Sequence, residues 1–174
     1  MKSMILSKPL KQAALDSGFT QKEIAQKAYL AYTTTNGHFN GYPVTADNAV
    51  LYSNAFNNSE LTFAISQEML GLMGLVNGCQ VKKDALALNA FQRREARERK
   101  EVEAEREIAC ILGTEINELT EKQKNDLLCH SIELADEILF EVSQLCRQLE
   151  MIGMSYMDLM KQKIPYWKEQ HWIE

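Results

Sequence analysis

Apolar residues along this chain recur at helical rather than alternating spacing, and the gaps between such stretches hold residues that start and stop helices. Pro9 stands at a favoured first-turn position, residues 10–17 read as a short helix, and Gly18 closes it. Thr20-Gln-Lys-Glu23 is a capping box, in which the threonine hydroxyl accepts the N–H three residues on and Glu23 reaches back. Ile24, Ala25 and Ala28 give the helix that follows one small apolar face. Residues 29–31 read as a turn and Tyr32–Phe39 as a third helix, ended by Asn40-Gly41, with Pro43 forbidding continuation. Thr45 caps a fourth helix over 46–57, with Ala49, Val50, Tyr52, Ser53 and Phe56 turned inward. Ser59 caps a fifth over 60–75, with Leu61, Ile65 and Leu72 on one face.

Asn77-Gly78 marks a boundary. Beyond it, residues 81–112 can run as one long helix whose middle, residues 92–107, holds six basic and six acidic side chains. Arg94–Glu98, Glu95–Arg99, Arg97–Glu101 and Arg99–Glu103 stand at i,i+4 with opposite sign, the mark of a solvated spacer helix. As a coiled-coil seam, the frame Leu88, Phe91, Glu95, Glu98, Val102, Glu105, Ala109, Leu112 places glutamates along its core. Gly113 breaks this helix and Thr120 caps the next, Glu121–Met151. That helix carries Leu128, Ile132, Ala135, Leu139, Val142, Cys146 and Leu149 at near-heptad spacing. A second stripe, Leu127, Leu134, Ile138, Leu145 and Ile152, lies beside the first. Two stripes imply cover on two sides: the apolar ends of the preceding helix on one, and on the other either a last helix over 154–164 or a second copy. Pro165 is expected to stop the helices, and Tyr166, Trp167 and Trp172 either fold back on the core or meet a partner. The pattern predicts an all-α protein. A five-helix domain over 1–76 is followed by a bundle of long helices over 80–174, devoted to oligomerisation or partner binding.

Charge sharpens this division. The net charge of −5 lies wholly beyond residue 75, because the first 75 residues balance five lysines (2, 8, 11, 22, 27) against five acids. An acidic second half is no surface for a polyanion, whereas a neutral first half can be one if its lysines share a face. Lys8 and Lys11 read as ordinary solvated lysines.

The chain shows no catalytic constellation. It has no Gly-rich phosphate loop and no GxSxG, and Cys129 and His130 point about 100° apart on their helix. Cys79, Cys110, Cys129 and Cys146 form no CxxC pair and read as free, mostly buried thiols of a reducing cytosol. His38, His130 and His171 lack ligand spacing, so neither metal nor cofactor is expected. No apolar run is long enough for a signal peptide or a membrane span, and the expected location is the cytoplasm.

A short turn between two helices, a small residue where they meet and a polar third helix are the requirements of a helix-turn-helix. In that motif the second helix of the pair lies in the major groove of DNA. Ala25 and the turn at 29–31 meet the first two. The run Gly18-Phe-Thr-Gln-Lys-Glu-Ile-Ala-Gln-Lys27 resembles the start of this motif in the Cro/C1-type, Xre-like phage repressor family, with Gln21, Ala25 and Gly41 at the family's positions. Pro43-Val-Thr-Ala-Asp-Asn-Ala49 resembles the family's entry into its fourth helix, and the likeness spans roughly residues 9–70. The family usually has glycine where Tyr29 stands, a branched aliphatic at Thr35 and Leu or Ile at His38. Gly37 inside the third helix costs about 1 kcal/mol against alanine. The resemblance implies a phosphate contact from Gln21 and base-edge contacts from Tyr32, Thr33 and Asn36, with Thr34 on the same helix start. Asparagine suits adenine and threonine a thymine methyl. Lys22, Lys27 and Asn40 stand where backbone contacts fall. His38 reads as a satisfied residue at the edge of the core.

Two functions follow from this reading. One is a transcriptional regulator, a phage or prophage repressor that binds a pseudo-palindromic double-stranded operator as a homodimer through its C-terminal helices. The other is a phage-encoded interaction factor whose acidic helical half binds a host protein.

Overall fold

The computed structural model describes residues 3–174; Lys2, counted above among the lysines of the first half, lies outside the described residues. Capping side chains decide where most helices begin. Thr20 accepts the Glu23 N–H, Thr45 that of Asn48, Asn58 that of Leu61, Asp84 that of Ala87 and Ser155 that of Asp158. In chain order the elements are β1 (Ser3–Met4), α1 (Ser7–Ser17), α2 (Gln21–Lys27), α3 (Tyr32–Phe39), β2 (Val44–Thr45), α4 (Ala46–Phe56) and α5 (Ser59–Leu70). There follow α6 (Ala85–Glu105), α7 (Ile108–Leu112), a 3-10 turn (Ile116–Glu118), α8 (Glu121–Met151) and α9 (Tyr156–Glu169). The fold is all-α. The two short strands pair antiparallel, Ser3 opposite Thr45 and Met4 opposite Val44, and tie the N-terminal segment beside the entry to α4.

Two compact units result: Met1–Leu75 with Leu149–Glu174, and Val76–Gln148. In the first, Leu6, Leu10, Ile24, Phe39, Val44, Tyr52 and Leu61 form a closed core, each fully buried Leu, Ile or Phe contributing about 1.5–3 kcal/mol. Of the inward positions expected on α4, Ala49, Tyr52 and Phe56 are buried, whereas Val50 is exposed. Helix α5 stops at Leu70 rather than near 75, because Gly71 takes a left-handed conformation (φ +71°) and caps it. Leu72 therefore leaves the inner face and is exposed.

Ser59 is not the cap of α5. Asn58 fills that role at 2.8 Å, and Ser59 Oγ accepts the Tyr156 N–H at 2.9 Å. This is one of several contacts that bring the end of the chain back to the first unit. The Asp158 carboxylate accepts Asn57 Nδ2–H at 2.8 Å and the Ser155 N–H at 3.2 Å, and these donors hold its pKa well below the usual carboxylate range. Phe63 and Tyr156 meet edge to face at 5.0 Å. Residues 80–174 thus do not form one body, since α9 packs with the five-helix domain. Pro165 lies inside α9, which runs on to Glu169, because the single lost N–H falls on an exposed turn where water can take the freed carbonyl. The tail folds back on α9 itself rather than on the core, with Trp172 edge to face on Tyr166 at 5.8 Å and exposed.

In the second unit the helix expected over 81–112 is two. Asp84 delays its start to Ala85, and Glu107 adopts a left-handed φ of +51°, separating α6 from α7 and letting Ile108 and Ile111 be buried. Of the expected i,i+4 pairs, Arg94–Glu98 (3.6 Å) and Arg99–Glu103 (2.6 Å) form. Arg99 also reaches Glu137 on α8, and Arg94 pairs with the buried Glu95, so α6 is a packed helix rather than a solvated spacer. Of the four cysteines only Cys146 is buried; Cys129 is half-buried, and Cys79 and Cys110 are exposed.

Candidate nucleic-acid interface

The first half of the motif forms as its residues require. Glu23 N–H reaches Thr20 Oγ1 at 3.3 Å, and Thr20 N–H reaches Glu23 Oε2 at 2.8 Å, closing the capping box and lowering the Glu23 pKa. Ile24 and Ala25 are buried where α2 meets α3. The turn closes with Leu30 N–H donating to the Ala25 carbonyl at 2.9 Å, and it sets Tyr29 at φ +54°, the left-handed region that favours glycine. The Tyr29 ring points into solvent, so nothing in the packing repays this strain.

Helix α3 spans the expected residues and divides cleanly by face. Thr35, His38 and Phe39 are buried. The two polar members meet Tyr52 of α4: His38 Nδ1 lies 2.9 Å from the Tyr52 hydroxyl, and the rings stand edge to face at 5.7 Å. Burial raises the Tyr52 pKa, an effect tempered by the adjacent Thr35 hydroxyl, although Thr35 Oγ1 makes no full hydrogen bond of its own. Burial also lowers the His38 pKa, so its neutral imidazole is the stable form inside. Helix α3 is thus seated through a small polar cluster.

The outer face of α3 presents Tyr32, Thr33, Thr34 and Asn36, all exposed, followed by exposed Asn40. Asn40 Nδ2–H donates to the Asn36 carbonyl at 2.9 Å and to Asn36 Oδ1 at 3.1 Å, which orients the Asn36 amide. Gln21 is half-buried as the first residue of α2, and Lys22 and Lys27 are exposed on the same helix, the Lys27 ammonium resting 4.7 Å above the Phe19 ring. The face of α3 carries no carboxylate.

No protein-family model, curated protein or solved structure matches the chain. The geometry alone therefore describes the site, and it adds a residue that the sequence pattern does not single out. Tyr42 packs its ring against Gly37, where a Cβ would come within 2.9 Å of Tyr42 Cδ2, and its N–H donates to the Gly37 carbonyl at 2.9 Å. The glycine that weakens α3 thus makes room for an aromatic ring beside the polar face. A glycine inside a helix with an aromatic residue five positions on, just past the helix end, is the signal that could have found it. Gly41, at φ +96°, makes the turn that returns Tyr42 to this place.

Among the described residues, Glu95, Glu98 and Glu133 stand close enough together to hold a cation, but Arg94 already pairs with Glu95 and Glu98. No helix of the described residues is long and apolar enough to cross a membrane.

Proposed function

We propose that this chain is a sequence-specific double-stranded-DNA-binding regulator of transcription, a repressor of the Cro/C1 kind from a phage or prophage, acting as a pair of copies on a pseudo-palindromic operator. The observation that carries the reading is the two-sidedness of α3. Its inner side chains lock to Tyr52, while its outer side is an uncharged row of hydrogen-bonding groups with Asn36 held in place by Asn40. At eight residues and about 12 Å, such a helix matches three or four base pairs of a major groove. With few lysines nearby, binding leans on base contacts more than on phosphate neutralisation, so a shallow salt dependence is expected.

Footprinting on DNA flanking the gene tests this. The wild-type chain protects a site with two half-sites about 34 Å apart. Replacing Thr33 and Asn36 together by alanine abolishes protection without changing helicity. Undiminished protection by that variant would rule the reading out.

A further inference from the structure

Helix α8 turns its polar side to α6. Across that contact Arg106 reaches Asp126 at 2.6 Å, Arg99 bridges to Glu137, and Phe91 stacks on Phe140 at 5.2 Å. The opposite side of α8 holds the heptad stripe, and its first part is bare: Leu128 is 58 % exposed, Ile132 52 % and the flanking Ile138 38 %, whereas Leu139 and Val142 are half-buried and Cys146 and Leu149 are buried. The helix thus spends its charged face on its intramolecular neighbour and leaves the first half of its apolar stripe in water, where its periodicity predicts cover.

We propose that this face of α8 is covered by the same face of a second copy of the chain, the two helices lying parallel and in register. Three features of the stripe select that occupant. Asn125, Ile132 and Leu139 repeat every seven residues, as do Leu128, Ala135 and Val142, giving two interleaved core rows with one polar position. In a parallel, in-register pair Asn125 meets its own counterpart and the amides can bond each other, whereas an antiparallel pair centred on the same stripe sets Asn125 against an aliphatic side chain. No charged residue stands in either row between 125 and 142. A second copy of the unit Val76–Gln148, with eleven basic and fifteen acidic side chains, therefore meets no like charge there.

The exposed Leu128 and Ile132 of both copies, with Ile138 beside them, form the centre of that interface, and specific interfaces bury upwards of about 1,000 Å² in total. The pairing rests on the proposed DNA-binding function only in that a pseudo-palindromic site asks for two copies of the chain.

The test is the mass of the full chain in solution, by light scattering, for the wild type, Ile132→Glu and Leu86→Glu; Leu86 is exposed on α6, off the stripe. The wild type and Leu86→Glu are expected at the mass of two chains, and Ile132→Glu at one, with helicity unchanged by circular dichroism. Register is read by oxidising Ala135→Cys, which should give a disulfide-linked pair well faster than the wild type, because position 135 faces its own copy only in the parallel arrangement. A wild type that stays at one chain up to about 100 μM, an Ile132→Glu variant that still pairs, or Ala135→Cys cross-linking no faster than wild type would each overturn the proposal. Recovery of the face bound to a different protein while the chain alone stays single would do the same. A single chain that still protects DNA through α3 defeats the pairing alone. A paired chain whose α3 variants protect DNA undiminished defeats the DNA reading alone.

Discussion

His38 Nδ1 lies 2.9 Å from the hydroxyl of Tyr52, inside the core and directly beneath the polar face of α3. Burial lowers the His38 pKa from its ordinary 6.5. Between the two values the unfolded chain binds more protons than the folded one, so the histidine's contribution to stability is fully present above about 6.5. It is lost as pH falls from there through the depressed value. The melting temperature of the wild type is expected to drop between pH 7.5 and 5 by more than that of His38→Gln, which keeps a hydrogen-bonding side chain but does not titrate. Equal drops would show that His38 is not the group responsible. Tyr52→Phe, which leaves His38 without its partner, is expected to cost about 1–2 kcal/mol at pH 7.5.

The ring of Tyr42 occupies the space that a side chain at position 37 would take. Gly37→Ala should gain about 1 kcal/mol of helix propensity in full only when Tyr42 is also alanine. A double-mutant cycle by urea denaturation is expected to give a coupling of about 0.5–1 kcal/mol, and strictly additive effects would deny that the two residues pack together.

Tyr29 holds a left-handed backbone conformation with its ring in solvent. Tyr29→Gly is expected to stabilise the chain by about 0.5–1 kcal/mol, because the strain relieved exceeds the added freedom of the unfolded glycine. A lower urea midpoint for this variant would show that the tyrosine contributes a contact that outweighs its strain.

Asp158 closes the capping box that Ser155 opens at the start of α9 and accepts the Asn57 amide, fastening the end of the chain to the helix pair α4–α5. Asp158→Ala should loosen α9 at a cost of about 1–2 kcal/mol, reported by a change in the fluorescence of Trp167 and Trp172 under native conditions. Unchanged emission with unchanged stability would mean that the aromatic contact of Phe63 with Tyr156 suffices alone.

The parts of the fold that were legible in the sequence are those fixed by local chemistry. The Thr20–Glu23 box, the span of α3, the Thr120 start of α8 and the left-handed glycines at 18 and 41 follow from residues within a turn of one another. Glu107 breaks a run of good helix formers through a left-handed conformation that no neighbouring residue signals. The stripe on α8 was visible as a stripe, but periodicity reports which face is apolar and not which neighbour covers it. The return of α9 was hidden for the same reason: Ser59 reads as an ordinary cap, and nothing near Asn57 or Ser155 signals that these residues meet partners nearly a hundred positions away. At the candidate site the outer residues of α3 were readable from their polarity. Thr35 and His38 were readable as departures from the family's pattern, and His38 as a satisfied residue at the edge of the core, but their partner Tyr52 lies on another helix and nothing local signals it.

The central role proposed for α3 is that of a reader of base sequence, and selection from a random double-stranded DNA library measures it directly. The wild-type chain is expected to enrich one pseudo-palindromic motif with half-sites about one helical turn apart. The Thr33→Ala, Asn36→Ala double variant, folded and equally helical, is expected to enrich none. Enrichment of the same motif by both chains, or of no motif by the wild type, would contradict it.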